Sequence, residues 1–481
     1  MPSDPLVQAF DRRAREAPGR PLVVTPGRCL DRAGVDAVAR AAAAVLAAAG
    51  LPSGALVALQ AANGAAFLGG LVALRRGGHP ALLLDPRTPA LERRRLGREL
   101  GAPGALVCAT PWPRGRRDWA AEDLGLDSPA EVREGIGVVK LSSGSTGNAR
   151  GVATPVEALL ADDEALVETM GIRAEDRLLA AIPFSHSYGL SSLAVPALVR
   201  GLPLVLPAED GPFGPLAAAD RAAATVFPTV PAYLGALTRL ASPPPLPATL
   251  RLVMAAGAPL PAETSAAFRE RFGLPVHVFY GASECGGICY DREGGAAERG
   301  TVGAPVAGVG VELESLPGEA AGAAGGRVAV ASPAVAQGYL PAPDPRLAGG
   351  RFRTDDLARW CGGELALVGR LNDLINVKGR KVNPREVERV LSALGAVEDV
   401  VVTAARREPR GEVVRAVIAC RPGTLTPEGV VAWCRERMAE HKVPRSVLLV
   451  DAIPRTARGK VDRGGLDSLA PRERLEGRTE P

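Results

Sequence analysis

Residues 141–151 read Leu-Ser-Ser-Gly-Ser-Thr-Gly-Asn-Ala-Arg-Gly. Glycines let a backbone approach an anion closely, and hydroxyls and amide N–H groups donate to phosphate oxygens. One reading of the segment is therefore a phosphate cradle, and the other is a flexible surface loop. It is not the Walker-type loop G-x-x-x-x-G-K-[ST], because Gly151 is followed by Val152. The flanks favour a ligand loop. Ile136–Leu141 reads as a strand and Val156–Met170 as a helix, which puts the segment where α/β sheets bind their ligands.

Four further stretches follow in order: PFSHSYGL at 183–190, FYGASE at 279–284, FRTDDLAR at 352–359 with GRLNDLINVKGRKVNPREVE at 369–388, and PRTARGKVDR at 454–463. Together with the loop, in this order and spacing, they resemble the adenylate-forming superfamily, in its acyl- and aryl-CoA synthetase branch. The resemblance runs from about residue 10 to residue 468. It implies two half-reactions in one site. A carboxylate attacks the α-phosphate of ATP to give acyl-adenylate and pyrophosphate, and a thiol then displaces AMP. Bringing two anions together demands positive charge and amide donors at that point.

The resemblance also implies roles for individual residues. Ser143, Gly144, Ser145, Thr146 and Gly147 would cradle the β- and γ-phosphates, with Thr146 also near Mg²⁺. The family usually has Pro-Lys before the last glycine, and here Ala149-Arg150 stands instead. Glu284 would bind Mg²⁺, a hard cation that takes oxygen ligands. Ser283 replaces the more usual Thr and would reach the α-phosphate. Tyr280 would face adenine beside Gly281, with Gly257, Ala258 and Pro259 lining the other side. Asp356 matches the carboxylate that accepts both ribose hydroxyls, although Asp355 stands where the family has Gly. Arg370 matches the residue that closes on ribose and phosphate. Lys460 would enter the site for adenylation and bridge the carboxylate and α-phosphate oxygens. Asn372 occupies the hinge position, and Lys378-Gly379 the loop brought in for the thioester step.

His186 resembles the gating His of acyl- and aryl-CoA synthetases. Amino-acid-activating relatives carry Phe-Asp here, the Asp pairing with the substrate amine. Phe184-Ser185-His186 has no such carboxylate, and a buried ammonium without a partner is costly. The pocket segments 227–234, 254–257 and 281–287 are mostly small or apolar, which suits an aryl or aliphatic acid. The thiol is CoA on this reading. One alternative is a standalone ligase that loads the phosphopantetheine of a separate acyl carrier protein. Another is a non-catalytic nucleotide- or acyl-binding module, which Asp355 and Arg150 favour. Retention of Thr146, Glu284, Asp356, Arg370 and Lys460 favours the enzyme.

These residues need α/β layers to position them. Up to about residue 370, short Val/Leu/Ile runs such as PLVV, ALVALQ and LRLVMAA alternate with amphipathic stretches, the pattern of largely parallel sheets. After Arg370 the pattern changes. Asn383-Pro384-Arg385-Glu386 reads as a helix start and Thr426-Pro427-Glu428 as another, with strand-like runs between and after them. The expected organisation is a large ATP- and acid-binding domain over 1–370, a small mobile α+β domain over 371–470, and a flexible tail over 471–481.

Composition bounds the remaining classes. The 481 residues carry 57 basic and 53 acidic side chains, a net charge of +4, too little to argue for nucleic acid or a membrane surface. Aromatics are only 4%, so Ala, Leu and Val must fill most of the core. The seven scattered cysteines do not read as a disulfide framework and suit a reducing, cytoplasmic setting. The N-terminal stretch has no apolar core of signal-peptide length, Ala41–Leu51 is too short to span a bilayer, and Ala55–Leu74 is broken by Gln60, Asn63 and glycines.

Overall fold

The short apolar runs of the first 310 residues become strands buried on both faces, the condition under which parallel sheets form. The computed structural model describes residues 4–126, 134–142, 150–207, 211, 213–315, 325–377, 380–407, 411–438, 440–455 and 461–476. The chain divides into two units. One comprises Met1–Glu312, Ala329–Arg353 and Cys361–Leu365, the other Leu313–Val328, Thr354–Trp360 and Ala366–Pro481.

Two sheets build the first unit. In the nine-stranded sheet, Val276–Ala282, Leu252–Ala255, Val226–Thr229, Leu178–Leu179, Leu204–Val205 and Pro21–Thr25 lie side by side and parallel. Its outer strands are antiparallel. In the seven-stranded sheet, Ile136–Ser142, Ala81–Leu84, Val57–Ala61 and Gly104–Cys108 are parallel, again with antiparallel strands outside them. Successive side chains of a strand face opposite ways. Val57 and Leu59 therefore join the main core, while Leu56 and Ala58 join a second cluster on the far face.

The helices Arg32–Ala48 and Ala65–Arg76 cover the main core. Gly69 interrupts an apolar run in the sequence, and the structure shows why. A Cβ there would stand 2.5 Å from Val38 Cγ1 and 3.1 Å from the Ala39 nitrogen, so the bare backbone lets the two helices touch. Leu59 is 0% exposed at the centre of this layer. Leu59→Ala should lower the unfolding free energy by about 2–5 kcal/mol, the usual range for a buried leucine. Its urea midpoint checks this, and a shift worth under about 1 kcal/mol would contradict the packing described.

The second unit is α+β. Asn383 caps the helix Pro384–Ser392 by accepting from the Arg385 N–H, with Pro384 at the first position. Thr426 caps Pro427–Arg437 in the same way through the Gly429 N–H. Val397–Arg407 and Gly411–Cys420 form an antiparallel pair, and Ser446–Val450 runs parallel to the second of them. Both helices bury one face against that sheet, through Val387, Leu391, Val430 and Cys434. Where a frayed tail is expected from Pro471, Glu473–Glu476 instead pairs antiparallel with Ser446–Val450 and closes the sheet edge. The pairing is through backbone, which a polar sequence supplies as well as an apolar one. Among the described residues no helix is long and apolar enough to cross a membrane.

Candidate active site

Four neighbouring parallel strands of the nine-stranded sheet end on the same side, and each hands the chain to a segment singled out in the sequence. Leu178–Leu179 leads into Phe184–His186, Val226–Thr229 into the helix Pro231–Arg239, Leu252–Ala255 into Gly257-Ala258-Pro259, and Val276–Ala282 into Ser283-Glu284. Carboxyl ends of parallel strands are where open α/β sheets bind ligands. Topology alone thus gathers the expected acid pocket and adenine segments on one sheet end. Gly257, Ala258 and Pro259 form an exposed turn, and Tyr280 is half-buried beside the exposed Gly281.

Hydrogen bonds tie these segments together. Ser187 Oγ donates to Ser283 Oγ at 2.7 Å, and Tyr188 Oη donates to the Met254 carbonyl at 3.1 Å. Tyr188 also packs its ring 5.7 Å from that of Phe279. A π-type turn, Leu190–Ala194, follows and aims Ser191 Oγ at Asp162 Oδ2, 2.6 Å away. The other oxygen of Asp162 accepts from the Gly287 N–H at 2.9 Å. Gly286 sits at φ +69°, and a Cβ there would strike the Asp162 carboxylate, so glycine is required at this turn. Burial pushes Asp162 up and Lys140 down, and each is opposed by the charge of the other. Glu284 adds to the field holding Lys140 charged. Two buried titratable groups, Asp162 and Lys140, thus lie near the Glu284 hairpin.

Glu284 accepts from Tyr339 Oη at 2.8 Å through Oε1, and its backbone carbonyl accepts from the Ala336 N–H at 2.8 Å. Among the described residues nothing hydrogen-bonds its Oε2, which leaves a carboxylate oxygen for a hard cation. No group of three or more His, Cys, Asp or Glu side chains gathers among the described residues. That donor set fits Mg²⁺, which keeps waters and substrate phosphates and uses only one or two carboxylates.

The loop at 143–149 is entered from the strand Ile136–Ser142 and left into a second strand, Arg150–Pro155, not directly into the helix expected after it. The two strands pair antiparallel, with Ser142 opposite Arg150 and Leu141 opposite Gly151, so the loop joins the arms of a hairpin. The helix Val156–Met170 begins only after that second strand. Ser143, Gly144, Ser145, Thr146 and Gly147 themselves lie outside the described residues.

His186 Nε2 stands 3.6 Å from Asp85 Oδ2. Burial alone would raise Asp85, but the Arg87 N–H and guanidinium, with His186, hold its carboxyl below the ordinary value. Asp85 follows the strand Ala81–Leu84 directly, at the carboxyl end of a parallel strand in the other sheet.

In the second unit Arg370 Nε donates to Asp356 Oδ1 at 2.7 Å. Asp355 is next to it on the strand Arg351–Cys361, and adjacent strand residues point to opposite faces. Asp355 meets Arg327 at 3.7 Å instead. The additional carboxylate in FRTDDL therefore does not crowd Asp356. Asn372 lies in the turn Leu371–Asp373, while Lys378, Gly379 and Lys460 are outside the described residues. Arg455 and Val461, on either side of 456–460, are joined by an antiparallel bridge.

The sequence pattern of the AMP-binding enzyme family matches residues 10–340, and that of the AMP-binding enzyme C-terminal domain matches residues 386–460. The chain belongs to the AMP-binding enzyme family. It is 30% identical to a feruloyl-CoA synthase of Amycolatopsis sp, over 94% of this chain and 96% of that protein. It is 29% identical to a 2-succinylbenzoate–CoA ligase of Geobacillus kaustophilus (strain HTA426), over 73% and 72%. Among solved structures it resembles the amide bond synthetase McbA of Marinactinospora thermotolerans, with TM-score 0.77, 29% identity and 96% and 99% of the two chains covered. The o-succinylbenzoate CoA synthetase of Bacillus subtilis, at TM-score 0.80 and 24% identity over 96% and 98%, shares the fold.

For this AMP-binding enzyme the structure adds three residues that motif reading passes over: Asp85 beside His186, Ser187 on Ser283, and Tyr339 on Glu284. Ser187 lies within PFSHSYGL, next to His186. Asp85 was signalled only by its place after an apolar strand. Nothing local in the sequence marks Tyr339, whose partner is 55 residues away.

Proposed function

We propose that the chain is an AMP-forming acid–CoA ligase acting on an aryl or aliphatic carboxylic acid. A carboxylate oxygen attacks the α-phosphorus of ATP, and the bond to pyrophosphate breaks. The CoA thiolate then forms a C–S bond as the C–O bond to AMP breaks. The observation that carries the reading is the end-to-end match, at 30% identity, to a protein named for making feruloyl-CoA. The gathering of four strand ends supports it, since acid and nucleotide segments must share one sheet edge.

On this reading the 143–147 segment receives the β- and γ-phosphates, and Ser283, held by Ser187, donates towards the α-phosphate. Glu284 supplies a carboxylate oxygen to Mg²⁺, which neutralises phosphate charge when bound. Asp356 accepts the ribose hydroxyls, and its bond to Arg370 keeps the carboxylate oriented. Tyr280 stacks on adenine, and His186 gates the acid, oriented by Asp85. Lys460 offsets charge at the two reacting centres. The segments FPTVPAYL and MAAG contain no acidic residue to pair with a substrate amine, which favours an acid without one.

The test is pyrophosphate release with a panel of benzoates, cinnamates and fatty acids, followed by mass spectrometry of the products with CoA. AMP and acyl-CoA formation with at least one acid is expected. Absence of AMP with every acid, from folded protein that binds ATP, would leave a binding module. Transfer only to a phosphopantetheinylated carrier protein would overturn the CoA half.

A further inference from the structure

Arg150, Tyr339 and Asp344 form a connected group with Glu284, and of the four only Glu284 has a role so far. The edge strand Gly338–Leu340 pairs antiparallel with Arg150–Pro155, with Tyr339 opposite Val152 and Leu340 opposite Gly151. Residues two apart share a face, so Arg150 is the diagonal neighbour of Tyr339 across the pair. Its guanidinium carbon lies 3.9 Å from the ring centroid. Arg150 Nη2 also meets Asp344 Oδ2 at 3.0 Å, and Asp344 in turn is held by Arg346. The Arg346 side chain, then its backbone N–H and Arg150, keep the Asp344 carboxyl far below its usual range, so the anion is permanent. Two sides of the Arg150 head group are thereby occupied.

The ring clamped under Arg150 carries the Oη that donates to Glu284 at 2.8 Å. A phenol carries its proton at neutral pH and a carboxylate only accepts, so Tyr339 is the donor of this bond. A carboxylate on a hairpin turn has two soft torsions, and one donor from a clamped ring removes much of that freedom.

We infer that Tyr339 is a positioning residue for the metal-side carboxylate Glu284, and that Arg150 serves as its clamp and not as a phosphate ligand. Arg150 is the first residue after the 143–149 loop, so the clamp also ties the loop's exit to the hairpin that carries Glu284. Arg suits this post better than Lys, because a planar guanidinium stacks on an aromatic face while still pairing with a carboxylate. The inference rests on the reading of Glu284 as the Mg²⁺ carboxylate.

The test is ATP binding to the full chain by calorimetry, at stepped free Mg²⁺ and in EDTA. Tyr339→Phe keeps the ring under Arg150 and removes only the Oη. It should raise the Mg²⁺ concentration for half-maximal ATP affinity about 10-fold, the scale for losing a group that orients a metal ligand. Metal-free ATP binding and the melting temperature should stay as in the wild type. Arg150→Met should shift the Mg²⁺ dependence in the same direction, and should add less in the Tyr339→Phe background than alone. Glu284→Gln should abolish the Mg²⁺ dependence. An unchanged Tyr339→Phe curve beside a flattened Glu284→Gln curve would overturn the inference while the function stands. A Tyr339→Phe loss confined to the melting temperature would overturn it too. A Glu284→Gln curve like the wild type would remove the reading beneath both.

Discussion

Lys460→Ala should lower carboxylate-dependent ATP–pyrophosphate exchange by about 10²–10³-fold, the cost of losing one donor that acts in the transition state. The carboxylate and the α-phosphate are both anionic, and their approach concentrates charge on oxygens that water can no longer screen. A single ammonium between them favours the transition state more than either separate reactant. On the two strands that flank residues 143–149, Arg150 is engaged by Asp344 and Tyr339, and Lys140 is buried. The same variant should convert preformed acyl-adenylate and CoA to thioester at a near-normal rate, because that step needs no such bridge. Exchange at the wild-type rate would take Lys460 out of its assigned role. Equal loss in both half-reactions would point to damage to the fold of the second unit.

Much of this site could be read from residue types. Asn383, Pro384 and Glu386 specify their helix start without tertiary help, because a cap is a local hydrogen bond. The parallel strands announce themselves as apolar runs, since both faces are covered. Other features depend on contacts between distant residues. Gly151–Thr154 is too short an apolar run to separate a strand from a lead-in to the next helix, and its identity as a hairpin arm comes from pairing with Ile136–Ser142. Tyr339 reaches Glu284 only because an edge strand nearly 190 residues beyond Arg150 lies against the arm that Arg150 begins. Asp355, where the family has Gly, is placed by strand alternation and by Arg327, neither of which its own residue type announces. Glu473–Glu476 has no pattern to read, because an edge strand needs only free backbone groups beside it.

Asn372→Pro should spare adenylation and slow thioester formation by about 10²-fold, the scale on which a misplaced catalytic group loses its advantage. One lysine cannot occupy the space between carboxylate and phosphate and also leave room for a thiol. On the proposed reading the C-terminal domain therefore changes orientation between half-reactions, and Asn372 absorbs the rotation. The residue lies in a single 3₁₀ turn, Leu371–Asp373, six residues into the segment Ala366–Pro481. The φ of such a turn, about −50 to −70°, is also the φ that proline imposes. Proline thus retains the turn and removes the freedom to leave it. Exchange within about 3-fold of wild type, with acyl-adenylate accumulating when CoA is present, is the expected pattern, since one step is held back without the other. Hydroxylamine trapping of the adenylate and single-turnover thioester formation read the two steps separately. Parallel loss of both would show that residue 372 is an ordinary turn position, and the pivot would then have to be sought elsewhere in 366–377.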